Sequence, residues 1–303
     1  MIASVLGIDF ASVDGNHDPD LVVAHADGLR VVGIRRSYVW FDNHKKAWQL
    51  SPDPCYQLYA ALARAAGITV IPYYFPAFAK GAPSPAEQVA AFKAAGGEII
   101  PGVDLPPCLD VEWGSGGFAA LGQTRAEVLA LILEHVDCLK KEWGTSSIYT
   151  SYNQWYDLGS PPVPELAGSM LWLKTAYRLR AGQPVDTEPP RDPHVGDVDS
   201  DTKGFYAVPE PWSATGWRLQ QYQGDALGFP GFDSTVDMNR FRLSSLGDAG
   251  PHVADLQRRL AVAITGVFDD DTDVAVRAFQ ADKKLVVDGV VGPSTFAAVA
   301  WHR

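Results

Sequence analysis

Over roughly the first 240 residues, short apolar runs alternate with stretches of helical spacing. Runs of β character fall at residues 4–10, 30–36, 69–75, 107–113, 147–151, 170–175, 217–222 and 235–238. Between them, residues 54–66 have helical spacing and stop at Gly67. Residues 84–95 open on Ser84-Pro85-Ala86-Glu87, which supplies an N-cap, a first-turn proline and an early acid. Residues 124–142 form a long amphipathic pattern with Thr124 as N-cap. Strand–helix alternation of this length predicts an α/β fold with a parallel sheet, and about eight strands suggest a barrel. The last strands come with little helix between them. The expectation is therefore an irregular (β/α) TIM-like barrel.

Residues 178–216 break the rhythm, being rich in Pro and Asp and poor in apolar periodicity. A segment of this kind reads as a solvated insertion in preference to a substrate-contacting flap. A second unit starts near Leu246-Gly247-Asp248-Ala249-Gly250, with helical patterns at 253–260 and 272–283 and a short one from Ser294. Thr265-Gly266-Val267-Phe268…Thr272 is weakly echoed by Asp288-Gly289-Val290-Val291-Gly292…Thr295. The expected division is a barrel over 1–243 and a small three-helix domain over 244–303. The run Asp269-Asp270-Asp271-Thr272-Asp273 lacks the alternating ligands, central Gly and terminal Glu of a calcium loop. Acids at a helix start favour the helix dipole, so this run is read as a cap.

Composition narrows the classes. The chain has 303 residues, 47% hydrophobic and 20% charged, an ordinary globular balance. A net charge of −11 without a basic stripe argues against nucleic acid. No run of about 18 apolar residues calls for membrane insertion. The first residues lack the basic and apolar regions of a signal peptide. Three cysteines, Cys55, Cys108 and Cys138, point to a reducing compartment without a disulfide framework. Neither CxxC nor HExxH-like spacing is present, so no metal and no cofactor are expected. A monomer is expected.

Asp110-Val111-Glu112 is the sharpest local feature. On a strand, residues i and i+2 share a face, and the active sites of (β/α) barrels gather at the C-terminal strand ends. Two close carboxylates repel, so one pKa should rise. Glycoside hydrolysis needs such a pair, one group to protonate the leaving oxygen and one to support the developing cation. Alone, the tripeptide is more simply a turn-capping Asp beside a surface Glu. Asp9 closes the first strand and Asp237 lies in the last, and together these acids would form a bowl at the barrel mouth. Tyr73, Tyr74, Phe75, Trp113, Tyr149, Trp172, Tyr177, Trp217 and Tyr222 lie at or near strand ends. Aromatic faces stack on the apolar faces of sugars, although barrel core accounts for any one of these residues equally well.

At this point the motifs carry a resemblance. Gly7-Ile8-Asp9, Tyr73-Tyr74-Phe75, Leu109-Asp110-Val111-Glu112, Ile148-Tyr149-Thr150, Leu171-Trp172-Leu173…Tyr177 and Trp217…Gln221-Tyr222…Val236-Asp237-Met238-Asn239 resemble glycoside hydrolase family 25. The order and spacing hold over about residues 4–242. These are lysozymes that cleave the β-1,4 bond after N-acetylmuramic acid in peptidoglycan. The resemblance implies Glu112 as general acid/base and Asp110 as its partner, orienting the substrate's acetamido group in a retaining reaction. It implies Asp9 and Asp237 as flanking acids, with Tyr149 nearby. Tyr73, Tyr74, Trp172, Tyr177 and Tyr222 complete the expected substrate-binding set. There are departures. Tyr74 stands where the family commonly has His, the segment after Asp9 lacks the usual pattern, and the 178–216 segment looks longer.

The C-terminal pattern Gly247…Gly250…Val253…Leu256-Gln257…Leu260, Gly266-Val267-Phe268…Phe279-Gln280 and Asp288-Gly289-Val290-Val291-Gly292 resembles the peptidoglycan-binding domain 1 family. This implies a wall-anchoring role, with bacterial peptidoglycan as partner. A wall hydrolase without a signal peptide and with such a tail resembles a bacteriophage endolysin, held in the host cytoplasm until released to the wall; a bacterial autolysin is the alternative. Two other functions compete: a non-catalytic wall lectin, which has no need for four acids, and an amidase or peptidase, whose zinc or Cys/His constellation is not visible in the sequence.

Overall fold

In the computed structural model the described residues are 3–16, 18–114, 116–175, 181–186, 193–195 and 207–302. The strands are β1 (Ser4–Phe10), β2 (Leu29–Asp42), β3 (Ala47–Pro52), β4 (Thr69–Phe75), β5 (Cys108–Asp110), β6 (Ser147–Ser151), β7 (Met170–Lys174), β8 (His194–Val195), β9 (Ala207–Val208), β10 (Leu219–Ala226) and β11 (Val236–Arg242). The main helices are α1 (Leu21–Ala26), α2 (Tyr56–Ala65), α3 (Pro85–Ala94), α4 (Arg125–Trp143), α5 (Tyr152–Asp157), α6 (Pro251–Arg259), α7 (Asp270–Asp282) and α8 (Pro293–Ala300).

Eight strands close a barrel in the order β1-β2-β4-β5-β6-β7-β10-β11, with β11 returning to β1. All neighbours are parallel except β11, which runs antiparallel to β10 and β1. That is the irregularity foreshadowed by the missing helix between the last two strands. The eight apolar runs of the sequence become the eight barrel strands. Several features go beyond the sequence pattern, among them α1, α5, β8 and β9; of most consequence, β2 continues to Asp42 and β3 folds back on it as an antiparallel hairpin.

The helices form where their caps predict. Ser84 and Thr124 each accept a bond from the backbone N–H three residues on, and Glu87 and Glu127 reach back to the cap backbone. α4 ends at Gly144, whose φ of 78° is a left-handed cap natural to glycine.

Successive residues of a strand face opposite ways. Leu109 of β5 and Val111 just after it pack outward with α4, while Cys108 belongs to the interior cluster and Asp110 faces the cavity. The barrel centre is filled by Trp172, and the space exists because residue 33 has no side chain. A Cβ on Gly33 would lie 2.5 Å from the Trp172 indole and 2.7 Å from Asp9 Cβ. Gly33→Ala is expected to cost about 1–3 kcal/mol through overpacking, read as a lower urea midpoint at unchanged m-value. An unchanged midpoint would refute this account of the centre.

Helices α6–α8 sit at the other end of the barrel, against the N-terminal ends of the parallel strands. Val253, Leu256, Phe268, Phe279 and Phe296 share one buried cluster with Val31, Ile71, Leu219 and Phe241 of the barrel. Buried Arg218 donates to Ser244 Oγ at 3.0 Å and to the His252 carbonyl at 2.5 Å, and it lies over the Phe296 ring. Trp301 Nε1 donates to the Asp104 carbonyl at 2.7 Å.

The weak internal echo has a structural counterpart. Gln257 Oε1 accepts from Thr265 and Gly266 N–H, and its Nε2 donates to Thr265 Oγ1, the Val267 carbonyl and Thr272 Oγ1. Gln280 Oε1 accepts from Gly289 N–H, and its Nε2 donates to Asp288, the Val290 carbonyl and Thr295. Each buried amide thus clamps the turn that starts the next helix. Gln280→Ala leaves the Gly289 N–H and Val290 carbonyl without this partner. It should cost about 1–3 kcal/mol, measurable as a thermal shift of the full chain.

Candidate active site

The strand ends converge on an open cavity of about 250 Å³ lined by Asp9, Asp14, Arg35, Tyr73, Phe75, Asp110, Glu112, Tyr149, Trp172, Gln221, Asp225 and Asp237, with Ala11 and Val13. Of the residues singled out from sequence, Asp9, Asp110, Glu112, Asp237, Tyr73, Tyr149 and Trp172 meet here. Tyr74 does not. It points outward, fully buried, with its hydroxyl 2.8 Å from His135 Nδ1 and its ring against Phe92. Tyr222 also faces away, into the cluster that packs α1 and α2 on the barrel. Both are placed off the site because each is a direct neighbour of an inward residue, Tyr73 and Gln221. Tyr177 lies outside the described residues. Of the 178–216 segment, residues 181–186 run beside β10, with Gly182 N–H donating to the Asp225 carbonyl and Asp186 N–H to Gln223 Oε1.

One wall is a connected polar network. Asp9 accepts from Gln221 Nε2 at 2.9 Å and from Asn239 Nδ2 at 2.6 Å. Asn239 Oδ1 accepts from Trp172 Nε1 at 2.7 Å, and Gln221 Oε1 accepts from the Tyr149 hydroxyl at 2.7 Å. Gln221 Nε2 also reaches Asp237 Oδ2 at 3.1 Å, while Asp237 Oδ1 accepts from Asp225 N–H at 2.7 Å. Gln221 and Asn239 therefore hold two carboxylates and two aromatic rings in register. Both residues lie in the sequence motifs, where nothing local gives them a role. Asn239 could have been found as the i+2 neighbour of Asp237.

The opposite wall is less satisfied. Among the described residues, buried Asp110 Oδ1 has no hydrogen-bond partner. Glu112 lies beyond it, its side chain about a quarter exposed, with Oε2 3.6 Å from Lys174 Nζ. Buried polar atoms are normally paired, so an unpaired buried oxygen on a residue that lines the cavity marks the least satisfied point of the site.

Burial dominates the electrostatics. Desolvation pushes Asp110 well above the usual carboxylate range, and Glu112 beside it adds to the rise. Asp9 is raised by burial and then by Asp237, against the lowering bonds from Gln221 and Asn239. Burial lifts Asp237 to about 6, opposed by the Asp225 N–H bond. The repulsion expected of the Asp-x-Glu pair is present, and the rise it contributes to is that of the more buried member, Asp110. Among the described residues no cluster of three or more His, Cys, Asp or Glu could hold a metal ion, and no helix is long and apolar enough to cross a membrane.

Fold and site together define a closed eight-stranded α/β barrel with an acidic, aromatic-walled mouth. That is the fold of family GH25 lysozymes. A family GH25 lysozyme from Aspergillus fumigatus superposes with a TM-score of 0.58 at 18% identity, covering 79% of this chain and 94% of that one. A bacterial lysozyme from Streptomyces coelicolor gives 0.56 at 20% identity over 79% and 92% of the two chains. A muramidase from Trichobolus zukalii gives 0.56 at 20% identity over 78% and 93%. Residues 249–299 match the family described as a putative peptidoglycan binding domain. A stretch of 76 residues, 25% of the chain, is 40% identical to part of N-acetylmuramoyl-L-alanine amidase CwlM of Mycobacterium tuberculosis, and the match takes in 18% of that protein's length.

Proposed function

We propose that this chain is a lysozyme that hydrolyses the β-1,4 bond between N-acetylmuramic acid and N-acetylglucosamine in peptidoglycan. The observation that supports the reading is that Asp110, the last residue of β5, and Glu112, two residues beyond it, both line the cavity. Glu112, partly exposed at the rim, protonates the glycosidic oxygen as its bond to C1 breaks. The acetamido oxygen of the same sugar attacks C1, so no sugar–enzyme bond forms. Asp110, which lines the cavity, receives the acetamido N–H on its carboxylate. Glu112, now ionised, takes a proton from the water that reopens the ring, and the configuration is retained. Asp9 and Asp237 supply negative field for the developing cation, and Tyr73, Tyr149 and Trp172 wall the sugar.

We assign catalysis to the barrel over 1–243 and wall binding to 244–303. A tail that holds the enzyme on its polymer raises the local substrate concentration. On the sequence resemblance, the setting is a bacteriophage endolysin; production inside the host would then lyse cells only when the membrane is also permeabilised. The chemistry is tested by digesting purified walls and analysing the fragments by mass spectrometry. New reducing N-acetylmuramic acid ends are expected. Free stem peptides without new reducing ends would instead assign the amidase activity named in the matched mycobacterial protein.

A further inference from the structure

The cavity wall continues beyond the barrel rim. Arg35 pairs with Tyr73 across β2 and β4, and after a register shift Tyr38 pairs with Phe75. Arg35, Tyr73 and Phe75 all line the cavity. Paired residues of neighbouring strands face the same side, so Tyr38 extends that lining outward. The Arg35 guanidinium lies 4.5 Å from the Tyr38 ring centre, bridging it to the cavity. Trp40, two residues further, shares the face. Trp40 is 42% exposed, and its Nε1 donates to Ser51 Oγ of β3 at 3.1 Å, which fixes the ring orientation.

The hairpin that carries this face is keyed to the site. Buried Asp53, at its foot, accepts from Ser12 N–H at 3.1 Å, Ser12 Oγ at 2.9 Å and Arg35 Nε at 3.1 Å, and its own N–H donates to the Arg36 carbonyl. Ser12 follows the strand that carries Asp9. On the other face, Phe41 packs edge-on to Trp48 at 5.3 Å. At the tip, Asp42 accepts from His44 and Lys45 N–H and sets the turn, presenting Lys45 and Lys46 on a chain of net charge −11.

We propose that Tyr38 and Trp40 form a stacking subsite for an N-acetylated sugar of the glycan strand outside the cleavage cavity. An exposed, orientation-locked indole beside a tyrosine offers the flat apolar surface that a pyranose face requires. The position is continuous with the cavity wall, so one strand reaches both. The lysines at the tip have the sign that attracts the carboxylates of the strand's peptides. This inference rests on the lysozyme reading of the cavity.

The test measures binding in a Glu112→Gln background, so that the ligand is not consumed. Alternating N-acetylglucosamine–N-acetylmuramic acid oligomers of two and eight sugars are titrated by calorimetry and tryptophan fluorescence. Trp40→Ala should raise the Kd of the octamer several-fold, up to about tenfold, and leave that of the disaccharide unchanged. Trp40→Phe should restore most of the loss, and Tyr38→Ala should act in the same direction. Equal octamer affinity with and without Trp40 would overturn the subsite while leaving the cavity reading in place. An equal loss for both lengths would also overturn it, by showing a structural effect on the cavity. Failure of both oligomers to bind the parent protein would overturn the cavity reading and this one with it.

Discussion

Glu112→Gln is expected to lower the rate of wall lysis by about 10²–10⁴, the range for loss of a positioned acid/base, while the fold survives. The amide has the shape of the acid but neither donates nor accepts the catalytic proton. Glu112 is partly exposed, and its nearest charged neighbour among the described ion pairs is Lys174 at 3.6 Å. A long, screened pair of this kind contributes about 0–1 kcal/mol. The thermal midpoint should therefore move little. Turbidity clearance and circular dichroism on the same preparation separate the two effects. Near-normal lysis by a folded Glu112→Gln protein would remove Glu112 from the chemistry.

Asp110→Asn should separate activity from stability in the opposite way. Catalysis falls by about 10² or more, the cost of removing one group that stabilises transition-state charge, because the amide cannot offer the same charge to the acetamido N–H. The folded protein becomes more stable at neutral pH. Asp110 carries a buried oxygen with no partner among the described residues, and the amide removes the buried charge there, a relief of about 1–3 kcal/mol. The sign follows from linkage. Burial raises the folded pKa of Asp110 above its unfolded value, so the native state binds more protons and stability falls as pH rises through that window. The gain in Asp110→Asn should be absent below about pH 4, the usual carboxylate range, and reach its full size above the folded pKa. Asp237, lifted to about 6, adds a second loss of stability between roughly pH 4 and 6 in both proteins. Melting curves from pH 3 to 8 read the difference. A variant less stable than the parent at pH 7 would show that the ionised Asp110 is compensated in the fold. Full activity would make Asp110 a supporting residue.

Such a trade-off is what a site built for charge should show. The Asp9 side of the cavity is satisfied by Gln221 and Asn239 and contributes to holding the barrel mouth together. On the Asp110 side, Oδ1 has no partner among the described residues.

Much of this was legible along the chain. Apolar runs marked all eight barrel strands, Ser84 and Thr124 marked helix starts, and the absent helix before residue 235 marked the irregular closure. The i, i+2 spacing predicted a common face for Asp110 and Glu112, and both line the cavity although β5 ends at Asp110. These features depend on neighbours within a few residues. The inward phase of the other strands did not. Barrel strands are buried on both sides, so they read as continuous apolar runs without alternation, and nothing local tells Tyr73 from Tyr74 or Gln221 from Tyr222. Closure of the sheet decided that Tyr73 and Gln221 face the acids while Tyr74 and Tyr222 pack under helices. It also placed Gly33 opposite Trp172, brought Lys174 to Glu112, and sent β2 past the rim to pair with β3. Each of these depends on contacts between residues far apart in sequence, and those exist only once the barrel has closed.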